Sequence, residues 1–223
     1  MPTPAESVST MPPEANPPSN SITPYRQIRA VYSPQTITIY QAYPASIALP
    51  AIATQSLSKV PTFKRTRMTW IKPSFLWMAY RSGYATKPNQ EHVLALEISR
   101  TGFEWALSHA ILSHIPASAT DAQLATWKKD VENSCVRVQW DPERYLHHSP
   151  LAYRSLQVGL RGEAVERFVD EWIVGVRDVT GLMHEIKGRL ERGDLRGARA
   201  LLPVEEVYVL PEGVARGVGM DVD

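Results

Sequence analysis

The spacing of the strand patterns is what most limits the folds open to this chain. TITIYQAY (36–43) alternates, with Ile37 and Ile39 on one face and Thr36, Thr38 and Tyr40 on the other. HVLALEIS (92–99), CVRVQW (135–140) and RSLQVGL (154–160) read the same way, and RMTWIK (67–72) is a shorter candidate. Several of these strands follow one another too closely for regular βαβ crossovers, which parallel neighbours require. The spacing therefore predicts an α+β fold with a largely antiparallel sheet, rather than a doubly wound one. On the last strand, Leu156, Val158 and Leu160 face one way, and Ser155, Gln157 and Gly159 face the other, toward a pocket or toward solvent.

Helix signals interleave with the strands. Pro73-Ser74 opens FLWMAYRS, and Gly83 closes it. Thr101 with Glu104, and Thr120 with Gln123, have the spacing of capping boxes, in which a hydroxyl and a side chain three residues on satisfy each other's free backbone N–H groups. GEAVERFVDEWI (162–173) and LMHEIKGRLERG (182–193) are amphipathic, and a shorter helix near LRGARALL stops at Pro203.

Residues 1–24 hold seven prolines among Ser, Thr, Glu and Asn, and almost no large apolar residue. Such a segment cannot bury enough surface to offset its ordering entropy, so it is expected to be a disordered tail. Deleting residues 1–23 is expected to leave the thermal midpoint within a few degrees, and a larger loss in a melting curve would show that the tail packs on the domain. Residues 25–210 are expected to form a single domain, and the Gly-rich 211–223 a flexible C-terminal tail. No apolar run reaches the roughly 18 residues of a membrane-spanning helix. The single cysteine, Cys135, excludes an intrachain disulfide framework and any multi-thiolate metal site, and points to the cytoplasm or nucleus.

Charge divides sharply along the chain. Residues 24–90 carry nine bases and no acid, whereas 91–223 carry 15 bases and 21 acids. A one-sign field over part of a fold favours an anionic ligand, unless the acidic part simply neutralises it on folding. FKRTRMTWIKPSFLWMAYRSGYATKP (63–88) interleaves six of these bases with Phe63, Trp70, Phe75, Trp77, Tyr80 and Tyr84. Bases neutralise phosphate and aromatic faces stack on planar rings, so the mixture suits a nucleotide or single-stranded nucleic acid. Ser74 at a helix start, beside Lys72, adds free backbone N–H groups for an anion. Phe75 and Met78 read as core, while Trp70, Tyr80 and Arg81 sit among the bases. His147-His148 reads as a solvated loop pair and no metal site is expected.

With these segments in view, the chain resembles the family called domain of unknown function 4291. The matching stretches are YRQIRAVY (25–32), TITIYQAY, FKRTRMTWIKPSFLWMAYRSGYATK (63–87), GFEWALSHA (102–110), VRVQWDPER (136–144), YRSLQVGL (153–160) and VDEWIV (169–174). The family pattern has an acid after the first tyrosine, where this chain has Ser33-Pro34. More distantly, the order of elements is similar to an ADP-ribosyltransferase fold, whose split sheet holds NAD in a cleft. That resemblance implies an enzyme that takes NAD as substrate and modifies nucleic acid or protein. Arg29 or Tyr40 would grip NAD, and Ser74 with Tyr80 is similar to a helix whose ring stacks on nicotinamide. The pyrophosphate would lie among Arg26, Arg29 and Lys72, and the nicotinamide against Tyr80 or Trp70, with Arg81 close by. The late strand offers Arg154 and Gln157 in place of the usual glutamate, and Glu143 is the nearest preceding acid. A non-catalytic RNA- or nucleotide-binding module using the same basic and aromatic face is the alternative.

Overall fold

A computed structural model describes residues 23–115 and 117–221; most of the proline-rich tail expectation lies outside them. In chain order the elements are β1 (Arg29–Ala30), β2 (Thr36–Tyr43), α1 (Ala45–Thr54), β3 (Thr69–Ile71), α2 (Phe75–Ser82), β4 (His92–Ser99), α3 (Arg100–Ser108), β5 (Ala110–Leu112) and α4 (Asp121–Asn133). There follow β6 (Val136–Arg144), β7 (Pro150–Leu160), α5 (Glu163–Arg167) with a π-helical turn at Phe168–Trp172, β8 (Ile173–Asp178), α6 (Thr180–Glu191), α7 (Leu195–Ala200), β9 (Glu206–Val207) and α8 (Glu212–Gly217). No helix among the described residues is long and apolar enough to cross a membrane.

The architecture is mixed, with helices around antiparallel sheets. One sheet has the order β2-β4-β8, the other β3-β7-β6-β5, and β1 pairs with β9 in a short ribbon. Every pair is antiparallel except β5 with β6. Alternation decides which face is buried. Leu156, Val158 and Leu160 lie across from Trp140, Val138 and Val136, and all six are in the core. The opposite face of the same strands carries Ser155, Gln157 and Gly159 across from Asp141, Gln139 and Arg137. The two sheets meet at β2 and β3. There the Tyr40 N–H donates to the Lys72 carbonyl at 2.7 Å, and the Gln41 amide donates to Thr69 Oγ1 and the Trp70 carbonyl.

Helix α2 starts and stops where its sequence says. The Ser74 hydroxyl accepts the Trp77 N–H, and Gly83 closes the helix at φ 60°, a left-handed conformation that only glycine adopts without penalty. Phe75 and Met78 are buried, each contributing roughly 1.5–3 kcal/mol. Anchoring that face leaves Trp77, Tyr80 and Arg81 on the other.

Four expectations need correction. The Thr101 capping box is absent: β4 runs straight into α3, so Ser99 caps instead and accepts the Gly102 N–H. Glu104 is drawn away to accept from Tyr208 Oη and Arg100. The helix expected over 162–173 runs from Glu163 to Trp172, its second half π-helical, but Ile173–Asp178, which raised no strand signal, joins the sheet beside β4. Residues 45–54, which raised no helix signal, form α1 around Pro50. Proline cannot donate to the Ser46 carbonyl one turn back, and the Thr62 hydroxyl satisfies that carbonyl at 2.8 Å. Finally, residues 211–221 are no loose tail. Ala215 and Val218 are buried, and Val218 accepts the Trp140 indole N–H at 2.7 Å.

Candidate functional site

The polar faces of the two sheets, α2 and the loop before β3 enclose a cleft of about 1060 Å³. Its floor is the alternation already noted: Gln139 and Asp141 from β6, Gln157 from β7, and Lys72 following β3. One wall is α2, presenting Trp77, Tyr80 and Arg81. The other is the loop 55–68, which presents Phe63, Lys64 and Arg67. Three attachments hold that loop. Thr62 bonds to α1, the Gln55 amide donates to and accepts from the Val176 backbone, and Arg65 pairs with Asp170 and Glu166. Arg65, counted among the bases of the acid-free stretch, thus serves the fold.

Lys72 is the most constrained residue of the floor. It is 1% exposed, its Nζ lies 3.0 Å from Asp141 Oδ2, and it sits 3.7 Å from the centre of the Trp77 ring. Burial pushes its amine down to about 8, more strongly than the Asp141 charge raises it. Asp141 also accepts from Gln139 Nε2 at 2.7 Å, and it is the one carboxylate lining the cleft among the described residues. Lys64, Arg67 and Arg81 are exposed and make no ion pair among the described residues. A concave surface with unpaired cations and a single, already paired acid is matched to an anion.

Of the residues singled out from the sequence, Trp70, Lys72, Tyr80, Arg81 and Gln157 converge on this cleft. Six do not line it, each for a physical reason. Arg26 is tied to the C-terminal turn, its N–H on Asp221 and its guanidinium on the Gly219 carbonyl. Arg29 is held by Gln27 and the Glu205 carbonyl. Tyr40 is buried edge-on against Phe75, and burial raises its hydroxyl pKa. Arg154 bonds to Tyr25 and to the Trp140 carbonyl. Glu143 is buried and accepts the backbone N–H of its neighbour Arg144.

Ser74 is spent on capping α2, and the anion site expected beside it is filled from within. Glu205 Oε1 accepts the Phe75 N–H at 2.7 Å. Burial, reinforced by the Glu143 charge, pushes the Glu205 carboxyl up from 4.5 to about 8, against the Phe75 N–H and Arg29. A carboxyl whose pKa rises on folding stabilises the fold fully below its unfolded value and loses that contribution as pH climbs through the folded one. The melting temperature is therefore expected to fall between pH 5 and 8, and Glu205→Gln to flatten that limb. Parallel melting profiles for the two proteins would show that another group is responsible.

Sequence reasoning passed over Gln139, Asp141 and Arg144. The signal was present for two of them, since Val136, Val138 and Trp140 alternate with Arg137, Gln139 and Asp141 along β6. Arg144 lies on the Tyr80 ring, 3.9 Å from its centre, beyond any local pattern. Nor is His148 solvated: its ring packs 5.0 Å from that of Tyr84, and burial lowers its pKa. No cluster of three or more metal-ligating side chains occurs among the described residues.

No curated protein matches this chain. Residues 27–208, which contain every strand of the cleft, match a family described as a domain of unknown function (DUF4291), and the chain belongs to that family.

Proposed function

We propose that the protein is an NAD-dependent ADP-ribosyltransferase-like enzyme. The observation that carries this reading is the convergence of Lys72, Tyr80 and Arg81 with Gln157, which lies far along the chain from them, on one basic cleft between two largely antiparallel sheets. NAD brings two phosphates and two planar rings, and the cleft offers unpaired cations, aromatic rings and amides to receive them. Arg67 and Arg81 meet the pyrophosphate with Lys72 beneath it. The nicotinamide lies against Tyr80, on the ring face away from Arg144, and Gln157 positions the ribose.

In the reaction the bond between ribose C1′ and nicotinamide breaks, and its electron pair leaves with the nicotinamide nitrogen. A lone pair of the acceptor forms the new bond to C1′, and the acceptor's proton passes to solvent. Asp141, rather than the Glu143 singled out from the sequence, is the carboxylate that opposes the positive charge developing at C1′.

One observation favours the alternative of a non-catalytic nucleotide- or RNA-binding module. Both Asp141 oxygens are already engaged, by Lys72 and Gln139, so no free carboxylate lines the cleft among the described residues. Calorimetric titration with NAD, followed by chromatography for released nicotinamide, separates the two. The enzyme reading expects binding and release, with Tyr80→Ala weakening binding roughly 5- to 150-fold, the range of one ring stack. Gln157→Ala should instead lower turnover and leave affinity nearly unchanged. Binding with no release would leave the module, and no NAD binding would remove the enzyme reading.

A further inference from the structure

The outer wall of the cleft carries a feature that the NAD reading leaves unused. Trp70 is 37% exposed and rests on Gly159, where an added Cβ would come within 2.9 Å of the six-membered ring. The absence of a side chain at 159 thus lets the indole lie against the sheet with its outer part bare. The other large rings of the cleft are engaged: Trp77 by the Lys72 ammonium at 3.7 Å, Tyr80 by the Arg144 guanidinium at 3.9 Å, and half-buried Tyr43 and Phe63 edge-to-face with each other. Trp70 has no cation over it among the described residues. Exposed Lys64, which the NAD reading also leaves unused, lines the same cleft. Gln139, paired in register with Gln157 on the floor, brings an amide that can both donate to and accept from a ring edge.

A bare indole beside unpaired cations is the combination that holds single strands, whose bases have free faces and whose backbone is anionic. A base pair inside a duplex has no free face to offer. Small-ligand pockets usually enclose roughly 300–1,000 Å³. At about 1060 Å³ the cleft lies just above that range, which leaves room beside a dinucleotide.

We propose that this wall is the acceptor site for single-stranded nucleic acid, with an unpaired base stacked on Trp70 and a flanking phosphate on Lys64. Its role as an acceptor site rests on the NAD reading above; the binding itself does not. The test is fluorescence anisotropy with labelled oligo(U), oligo(dT) and a hairpin duplex, alongside NAD calorimetry on the same protein. A single strand should bind at least tenfold more tightly than the duplex, and the two oligonucleotides distinguish RNA from DNA. One phosphate contact predicts a slope of log affinity against log salt of about −0.7. Trp70→Ala should weaken binding roughly 5- to 150-fold, and Trp70→Phe should retain most of it. Melting curves for both variants establish that they fold. NAD binding without single-strand binding, equal affinity for duplex and single strand, or an unchanged Trp70→Ala would each overturn the proposal. Transfer of ADP-ribose to a protein and to neither oligonucleotide would do so as well. Single-strand binding that depends on Trp70 with no NAD binding would sustain the surface and remove the enzyme reading alone.

Discussion

Lys72→Met is expected to lower the unfolding free energy by about 3 kcal/mol, the lower end of what losing one partner of a buried ion pair costs. The reason lies in what remains. The Asp141 side chain is 15% exposed, and without Lys72 it keeps only the Gln139 amide against its charge. The Trp77 ring also loses the ammonium that covers it. In a domain of this size the change corresponds to roughly 6–12 °C in melting temperature. Replacing both partners, as Lys72→Met with Asp141→Asn, should recover most of the loss, because no uncompensated charge is left. Urea unfolding of the two single variants and the double one yields the coupling energy directly. A single-variant loss under 1 kcal/mol would mean that water already compensates Asp141.

Arg67→Glu combined with Arg81→Glu is expected to weaken NAD binding by at least about 100-fold while leaving the melting temperature nearly unchanged. The two residues stand on opposite walls of the cleft, both exposed and neither in an ion pair among the described residues. Stability should therefore not notice them. A charge-assisted hydrogen bond is worth about 1.5–3 kcal/mol, so losing one from each wall passes two decades of affinity even before repulsion is counted. Raising the pH should act in the same direction, because Lys72 has its amine pushed down to about 8 and loses its charge above that. Arg29→Ala, outside the cleft and held by Gln27 and Glu205, is the matched control and should leave affinity within a few-fold. If the control loses as much as the double variant, the anion lies elsewhere.

What could be read from the sequence was whatever depends on near neighbours. Strands β2 and β4 and helix α2 lie where alternation, Ser74 and Gly83 put them, because period and capping are local properties. The Thr120 and Gln123 box forms for the same reason. What escaped depends on distant groups. Helix α1 tolerates Pro50 because Thr62 supplies the missing donor, and nothing near residue 50 announces that. The site divides in the same way. The cleft residues Trp70, Lys72, Tyr80 and Arg81 come from one dense stretch of sequence, and Gln157 from a strand whose alternation was clear. Arg26 and Arg29 carried suitable charges, but partners far along the chain hold them away from the cleft, and Glu143 is buried on the backbone N–H of its neighbour Arg144. Nor does all of the charge in the acid-free stretch face the cleft, since Arg65 uses its charge to hold Asp170.

The pairing of β1 with β9 bears on how the chain reaches this state. Arg29 lies across from Val207, and Trp140 in the middle of the chain waits for the carbonyl of Val218. The strand that pairs with β4 on the side away from β2 is likewise contributed late, by residues 173–178. On the ribosome, then, the segment through residue 160 can form the β6–β7 hairpin, but it lacks the pieces that close either sheet's surroundings. Non-local pairing of this kind slows folding and leaves apolar strands uncovered meanwhile. The protein is expected to acquire its cleft only after synthesis has passed about residue 218, and to depend on protection of its strands until then.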